Sequence, residues 1–227
     1  MRAYELNEYG KDSAGKAGVP TIKNRSDAVK VHRELSPEKE TAALARYTKG
    51  SRDINDKLHQ NFHANRTKND KVVKSLDKAM TRQTTKDMIL FTGVKQSLIV
   101  AWKKYGANLM EPIRLHLPAY TSTSTDFEKA CGFASPEKDM PHVYRQIQKF
   151  KKSYGYPNVI AIRVPKGTPC VSVMEISHYD TEDEILLPRG IDILVRPEAA
   201  YTRPSDWGTG FFIWYADLVG HRPMEIA

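Results

Sequence analysis

The chain has 227 residues, is 40% hydrophobic and carries a formal charge of +8, which suits one large packed domain or one domain with a helical extension. No stretch of about 18 uninterrupted apolar residues occurs, so a transmembrane helix and a membrane partner are not expected. No apolar segment follows the first charges, so no secretory leader is expected either. The two cysteines, Cys131 and Cys170, make neither a disulfide framework nor a zinc set, and a reducing, cytoplasmic compartment is the expectation. The charge is uneven. Residues 1–86 hold 19 Lys+Arg against 11 Asp+Glu, a net of +8, whereas residues 87–227 hold 16 of each. A basic first part is open to two readings, a solvated helical surface or a face that attracts nucleic acid or an acidic protein.

Residues 1–35 are polar and without period, and read as an irregular arm. Ser36-Pro37-Glu38 is a helix start, with a capping serine, proline in the first turn and an early acid. That helix turns Ala43, Leu44 and Tyr47 inward and stops near Lys49-Gly50. Ser51 opens a second, with Ile54, Leu58 and Phe62 at helical spacing, and Val72, Val73, Leu76 and Met80 mark a third. Met88 to Phe91 then reads as a buried strand turning at Thr92-Gly93. Ser97 to Tyr105 is expected to be helical, Arg114 to Thr123 β-like, Asp126 the cap of a short helix, and 143–154 another helix. Strands are expected at 159–164, 171–174, 184–187, 191–195 and 211–215. Helices first and strands later predict an α+β fold, with residues 36–227 as one domain made of a helical part (36–86) and a β-rich core (87–227).

Three stretches carry possible chemistry. Tyr179-Asp180-Thr181-Glu182-Asp183-Glu184 places two glutamates two residues apart at the mouth of an apolar run. On a strand they share a face and divide acid–base work; a solvated turn is the plainer reading, and a calcium loop lacks its glycine and distal glutamate. Thr121-Ser122-Thr123-Ser124-Thr125 is a row of five hydroxyls, either an edge strand running into a cap or a set that orients a carboxylate and a polar ligand. Gly93 after the first strand allows close backbone approach to a ligand, or an ordinary turn. His116, His142, His178 and His221 have no metal-binding spacing, so no metal is expected.

Taken in order, Tyr47-Thr48, Ile54-Asn55 with Leu58, Phe91-Thr92-Gly93, Pro118 to Ser124, Ala130 with Phe133-Ala134, Ile162 to Gly167, and Glu182-Asp183-Glu184 with Leu187-Pro188-Arg189-Gly190 form a pattern. The pattern resembles the mono-ADP-ribosyltransferases of the Arg-Ser-Glu type, as carried by bacteriophages and by binary toxins. The resemblance covers roughly residues 40–220. It implies a split β-sandwich that clamps NAD as co-substrate, with helices packed around it, and transfer of ADP-ribose to a host protein, an arginine side chain being the implied acceptor. Glu184 matches the catalytic glutamate, Glu182 the acid that engages the acceptor, Ser122 the serine that orients Glu184, and Tyr179 the aromatic residue of the recognition loop. Thr123, Ser124 and Gly93 complete the cofactor-binding motifs. The arginine that ordinarily ends the first strand is Thr92 here, which brings a hydroxyl and no charge; Arg114, Lys95 and Arg82 are the candidates to replace it. A phage or toxin effector working in a host cytoplasm, or packaged in a virion, is the implied setting. An NAD glycohydrolase, a nucleic-acid ADP-ribosyltransferase using basic residues 1–86, and a catalytically silent basic binding protein are the alternatives.

Overall fold

The computed structural model describes residues 38–63, 70–80, 82–94, 111–134, 158–173, 176, 184–202 and 210–222. The arm at 1–35 and the helices expected at 97–105 and 143–154 lie outside these residues, as do Tyr179, Glu182 and Lys95.

Three helices open the fold: α1 (Glu38–Lys49), α2 (Ser51–His63) and α3 (Lys71–Ala79). Helix α1 carries Glu38 and Glu40 in its first turn and Arg46 and Lys49 in its last, each complementing the helix dipole. It ends where the Gly50 N–H turns back onto the carbonyls of Arg46 (3.2 Å) and Tyr47 (3.1 Å). Helix α3 starts on Asp70, whose carboxylate accepts from the Val72 and Val73 N–H groups at 2.8 and 3.4 Å.

The strands follow as β1 (Met88–Val94), β2 (Ile113–Leu117), β3 (Thr121–Ser124), β4 (Asn158–Val164), β5 (Val171–Ser172), β6 (Glu184–Leu187), β7 (Ile191–Thr202) and β8 (Phe211–His221), with helix α4 (Phe127–Ala134) between β3 and β4. Their order is β2-β7-β8-β4-β1-β3-β6-β5. Every pairing is antiparallel except β4 with β8. β1 and β3 share a single register pair, Phe91 with Ser124. The ladder thus divides there into a five-stranded and a three-stranded sheet, as a split sandwich requires.

Three apolar clusters follow from strand alternation. The first lies between the two sheets and joins Leu90, Ile160, Ile162, Ile193, Val195 and Trp214 to Ile185 and Leu187 of β6. The second packs Leu44, Tyr47, Ile54, Leu58 and Leu76 of the helices on Tyr120, Val171 and Leu186. The third seats α4 on the outer face of the larger sheet, where Phe127 meets Phe91 and Phe211 edge-on at 5.7 and 6.4 Å. Each fully buried leucine, Leu44 and Leu76 among them, contributes about 1.5–3 kcal/mol by leaving water.

One buried ion pair ties the helices to the sheets. Arg189, on the turn between β6 and β7, donates from Nε to Asp77 Oδ1 at 2.9 Å and from Nη2 to Oδ2 at 2.7 Å. The Tyr120 hydroxyl donates to Asp77 Oδ1 at 2.6 Å and lies 3.1 Å from the Val73 carbonyl. Burial works against the Arg189 charge, and the hydrogen bonds and charge of Asp77 outweigh it, so the guanidinium titrates above its ordinary value. Gly190 completes the turn at φ 77°, a conformation that favours glycine.

Several expected boundaries change: β1 runs through Thr92-Gly93, expected as a turn, to Val94, and β5 ends at Ser172. The β stretch expected over 114–123 is two strands, broken at Pro118-Ala119-Tyr120, where the chain passes from one sheet to the other. β7 continues past Val195 to Thr202 because Arg196-Pro197-Glu198 is absorbed by a register shift between Val195 and Ala199, which frees proline from the ladder. β8 likewise extends to His221 through polar Asp217 and Gly220.

Candidate active site

The hydroxyl row forms β3, and its register on β6 sorts the side chains. Thr121 and Thr123 oppose Leu187 and Ile185, which face the cluster between the sheets; Ser122 and Ser124 oppose Leu186 and Glu184. Leu186 packs under the helices, so Ser122, Ser124 and Glu184 share the helix-facing side. Glu184 is 5% exposed at the first position of β6, directly opposite Ser124.

The hydroxyls have different tasks. Thr123 is fully buried and donates to the Ile185 carbonyl at 2.5 Å, fixing β3 on β6. Ser124 Oγ accepts from the Asp126 N–H at 3.0 Å, while the Asp126 carboxylate caps α4 through the N–H groups of Glu128 (2.8 Å) and Lys129 (3.4 Å). Ser122 is partly exposed and hydrogen-bonds with the hydroxyl of Tyr47 from α1. That hydroxyl accepts from Asn55 Nδ2 at 2.9 Å and sits 3.4 Å from the Tyr120 carbonyl, which also accepts from Asn55 Nδ2 at 3.2 Å. Burial pushes the Tyr47 hydroxyl up to about 12; the Glu184 charge adds to that, and hydrogen bonds with Ser122, Asn55 and Ser51 oppose it. Asn55 Oδ1 is buried and has no partner among the described residues.

Thr92 is 8% exposed, and its hydroxyl donates to the Ser122 carbonyl at 2.9 Å. It therefore ties β1 to β3 one residue beyond the point where the sheets part. Gly93 follows it on β1, opposite Val159.

The structure thus brings Thr92, Gly93, Ser122, Thr123, Ser124 and Glu184 to the split between the sheets. It does not bring Arg114 there. Arg114 stands on β2, the far edge of the larger sheet, with its guanidinium 2.9 Å from Asp192. Arg82 precedes β1 and accepts the Cys170 N–H on its carbonyl at 3.0 Å. Two residues given no role in the sequence, Tyr47 and Asn55, join the group. Ser51, Asn55 and Leu58 share one face of α2, and a polar residue on that otherwise inward face was the available signal.

A shielded carboxylate with adjacent hydroxyls can hold a sugar hydroxyl and stabilise a positive charge developing on the neighbouring carbon. Among the described residues, no three His, Cys, Asp or Glu side chains are grouped to hold a metal ion.

Solved structures share this fold. The C3 exoenzyme of Clostridium limosum superposes with a TM-score of 0.60 at 19% identity, covering 86% of this chain and 96% of that one. Plx2a, an ADP-ribosyltransferase toxin from Paenibacillus larvae, gives 0.58 at 17% identity, covering 86% and 92%. C3stau2 from S. aureus, solved with NAD, gives 0.54 at 16% identity, covering 88% and 98%. No curated protein sequence matches the chain. The sequence model of the ADP-ribosyltransferase exoenzymes matches residues 23–203, and the chain belongs to that family.

Proposed function

We propose that the chain is an NAD-dependent mono-ADP-ribosyltransferase that modifies arginine side chains of proteins in a host cytoplasm, as a phage or toxin effector. The observation that carries this reading is Glu184, a carboxylate shielded from water at a strand end, opposite Ser124 and beside the Ser122–Tyr47 pair. C3stau2, of similar fold, was solved with NAD, and the hydroxyls and carboxylate gathered here suit a ribose. In this reading Glu184 accepts a hydrogen bond from a ribose hydroxyl and offsets the charge that grows on the anomeric carbon as nicotinamide leaves. Ser122 orients Glu184. Thr92 and Thr123 hold the backbone of β1, β3 and β6 in place around them, and Gly93 leaves room for the ligand to approach. Glu182, two residues before Glu184, engages the forked donors of an arginine acceptor, and Tyr179 helps to recognise it.

Incubation with labelled NAD and a bacterial lysate, followed by mass spectrometry of labelled proteins, tests the reading. Label on arginine is expected. Glu184→Gln should lower transfer by about 10²-fold or more, while Glu182→Gln should abolish protein labelling and leave NAD cleavage. Undiminished transfer by Glu184→Gln rejects the assignment, and free ADP-ribose without labelled protein identifies a glycohydrolase instead.

A further inference from the structure

The outer face of the larger sheet carries a second ordered set of charges that the active site does not use. Register places Arg163 opposite Asp217, Asp217 opposite Leu194, and Leu194 opposite Arg114. These four residues form one row across β4, β8, β7 and β2, spanning three strand spacings, or roughly 14 Å. The next row holds His116, Asp192 and Gly220. Each aspartate serves two arginines. Asp217 accepts from Arg163 Nε at 2.6 Å and Arg196 Nη2 at 3.2 Å. Asp192, 1% exposed, accepts from Arg114 Nη2 at 2.9 Å, Arg222 Nη2 at 2.7 Å and Arg222 Nε at 3.0 Å on one oxygen, and from His116 on the other. Gly220 makes room for this: a Cβ there would lie 3.3 Å from Asp192 Oδ2 and 3.6 Å from Arg114 Nη2.

Arg114 and Arg222 bring two positive charges to the single negative charge of Asp192. Arg114, Arg163 and Arg222 remain 55%, 47% and 70% exposed. A guanidinium carries five N–H donors; Asp192 takes one from Arg114 and two from Arg222. Asp192 therefore fixes the Arg114 and Arg222 heads in position while leaving donors turned to solvent, which lowers the ordering cost of binding an oxyanion. We propose that this face is a docking surface for an acidic segment of a partner protein, whose carboxylates the arginine row receives. A protein is favoured over single-stranded nucleic acid because the row sets the apolar Leu194 between its arginines, which suits a peptide side chain.

The test is fluorescence anisotropy with a labelled hexaglutamate peptide. Arg163→Gln/Arg222→Gln removes two charges, yet leaves Asp217 its Arg196 and Asp192 its Arg114 and His116, so neither carboxylate is stranded. The control Lys57→Gln/Lys74→Gln removes the same charge from the exposed faces of α2 and α3. Weakening of about tenfold by the arginine pair and less than about twofold by the lysine pair is expected, since only the arginines meet the peptide. Equal weakening by both pairs overturns the proposal. Tighter binding of an oligothymidylate with the same arginine dependence also overturns it, in favour of nucleic acid. In the unmodified protein the peptide should shift the Nε–Hε resonances of Arg163 and Arg222, and unmoved resonances at saturation overturn it without any variant.

Discussion

Asp77→Asn should expose how strongly the helical part depends on one ion pair. The substitution keeps the size of the side chain and an acceptor for Tyr120, but removes the charge that Arg189 was buried against. The Arg189 side chain is 7% exposed and Asp77 34%. Removing one partner of a fully buried pair costs about 3–5 kcal/mol; because water reaches Asp77, about 2–3 kcal/mol is expected. At roughly 2–4 °C per kcal/mol for a chain of this size, the Tm should fall by about 5–10 °C. Thermal unfolding followed by far-UV circular dichroism reads this directly. Adding Arg189→Met removes the stranded cation, so the double variant should be more stable than Asp77→Asn alone. A shift under about 1 °C for Asp77→Asn, or a double variant destabilised by the sum of the two singles, would refute the reasoning.

Two further outcomes follow from the same contacts. Tyr47→Phe deletes the hydroxyl beside Ser122 and Glu184; kcat should fall about tenfold with the KM for NAD unchanged, beyond the loss of about 1 kcal/mol in stability, and an unaltered kcat would reduce Tyr47 to a core residue. Burial works to raise the Asp192 carboxyl, and hydrogen bonds from His116, Arg222 and Arg114 outweigh it, holding the group at about 2 against the ordinary 3.8. The folded value lies below the unfolded one, so this stabilisation is complete above about pH 4 and is lost as the pH falls towards 2. Asp192→Asn should flatten the acid limb of the stability curve across that window, and parallel curves for the two proteins would contradict the assignment.

Much of the fold was legible because its central strands are nearly continuous apolar runs. Met88 to Phe91 and Val159 to Ile162 are buried or nearly so on both faces, and nothing local competes with that reading. Pro118 and Pro197 misled in opposite directions: one breaks a stretch that alternates like a single strand, the other sits harmlessly in a bulge. Proline reports only that its own N–H is missing, and the partner strand decides whether that matters. At the candidate site, Ser122 and Glu184 were singled out through the order of motifs, since their nearness depends on the pairing of β3 with β6, which sets Ser124 opposite Glu184, 60 positions on. The tie from Thr92 to the Ser122 carbonyl spans 30 positions and leaves no local trace. Tyr47 was read as core, correctly for its ring, but the partners of its hydroxyl come from two other elements.

The parallel pairing of β4 with β8 has a consequence for synthesis. β8 follows every other strand in sequence, yet it is inserted between β7 and β4. Until residues 211–221 emerge from the ribosome, the β2–β7 pair and the β4–β1 pair have no ladder between them, and the apolar cluster they share stays open. Closure then requires contacts of long sequence separation, which are slow to form. A nascent chain or a truncation that stops before Phe211 should therefore be inactive, with the strands around Ser122 and Glu184 left without a completed core.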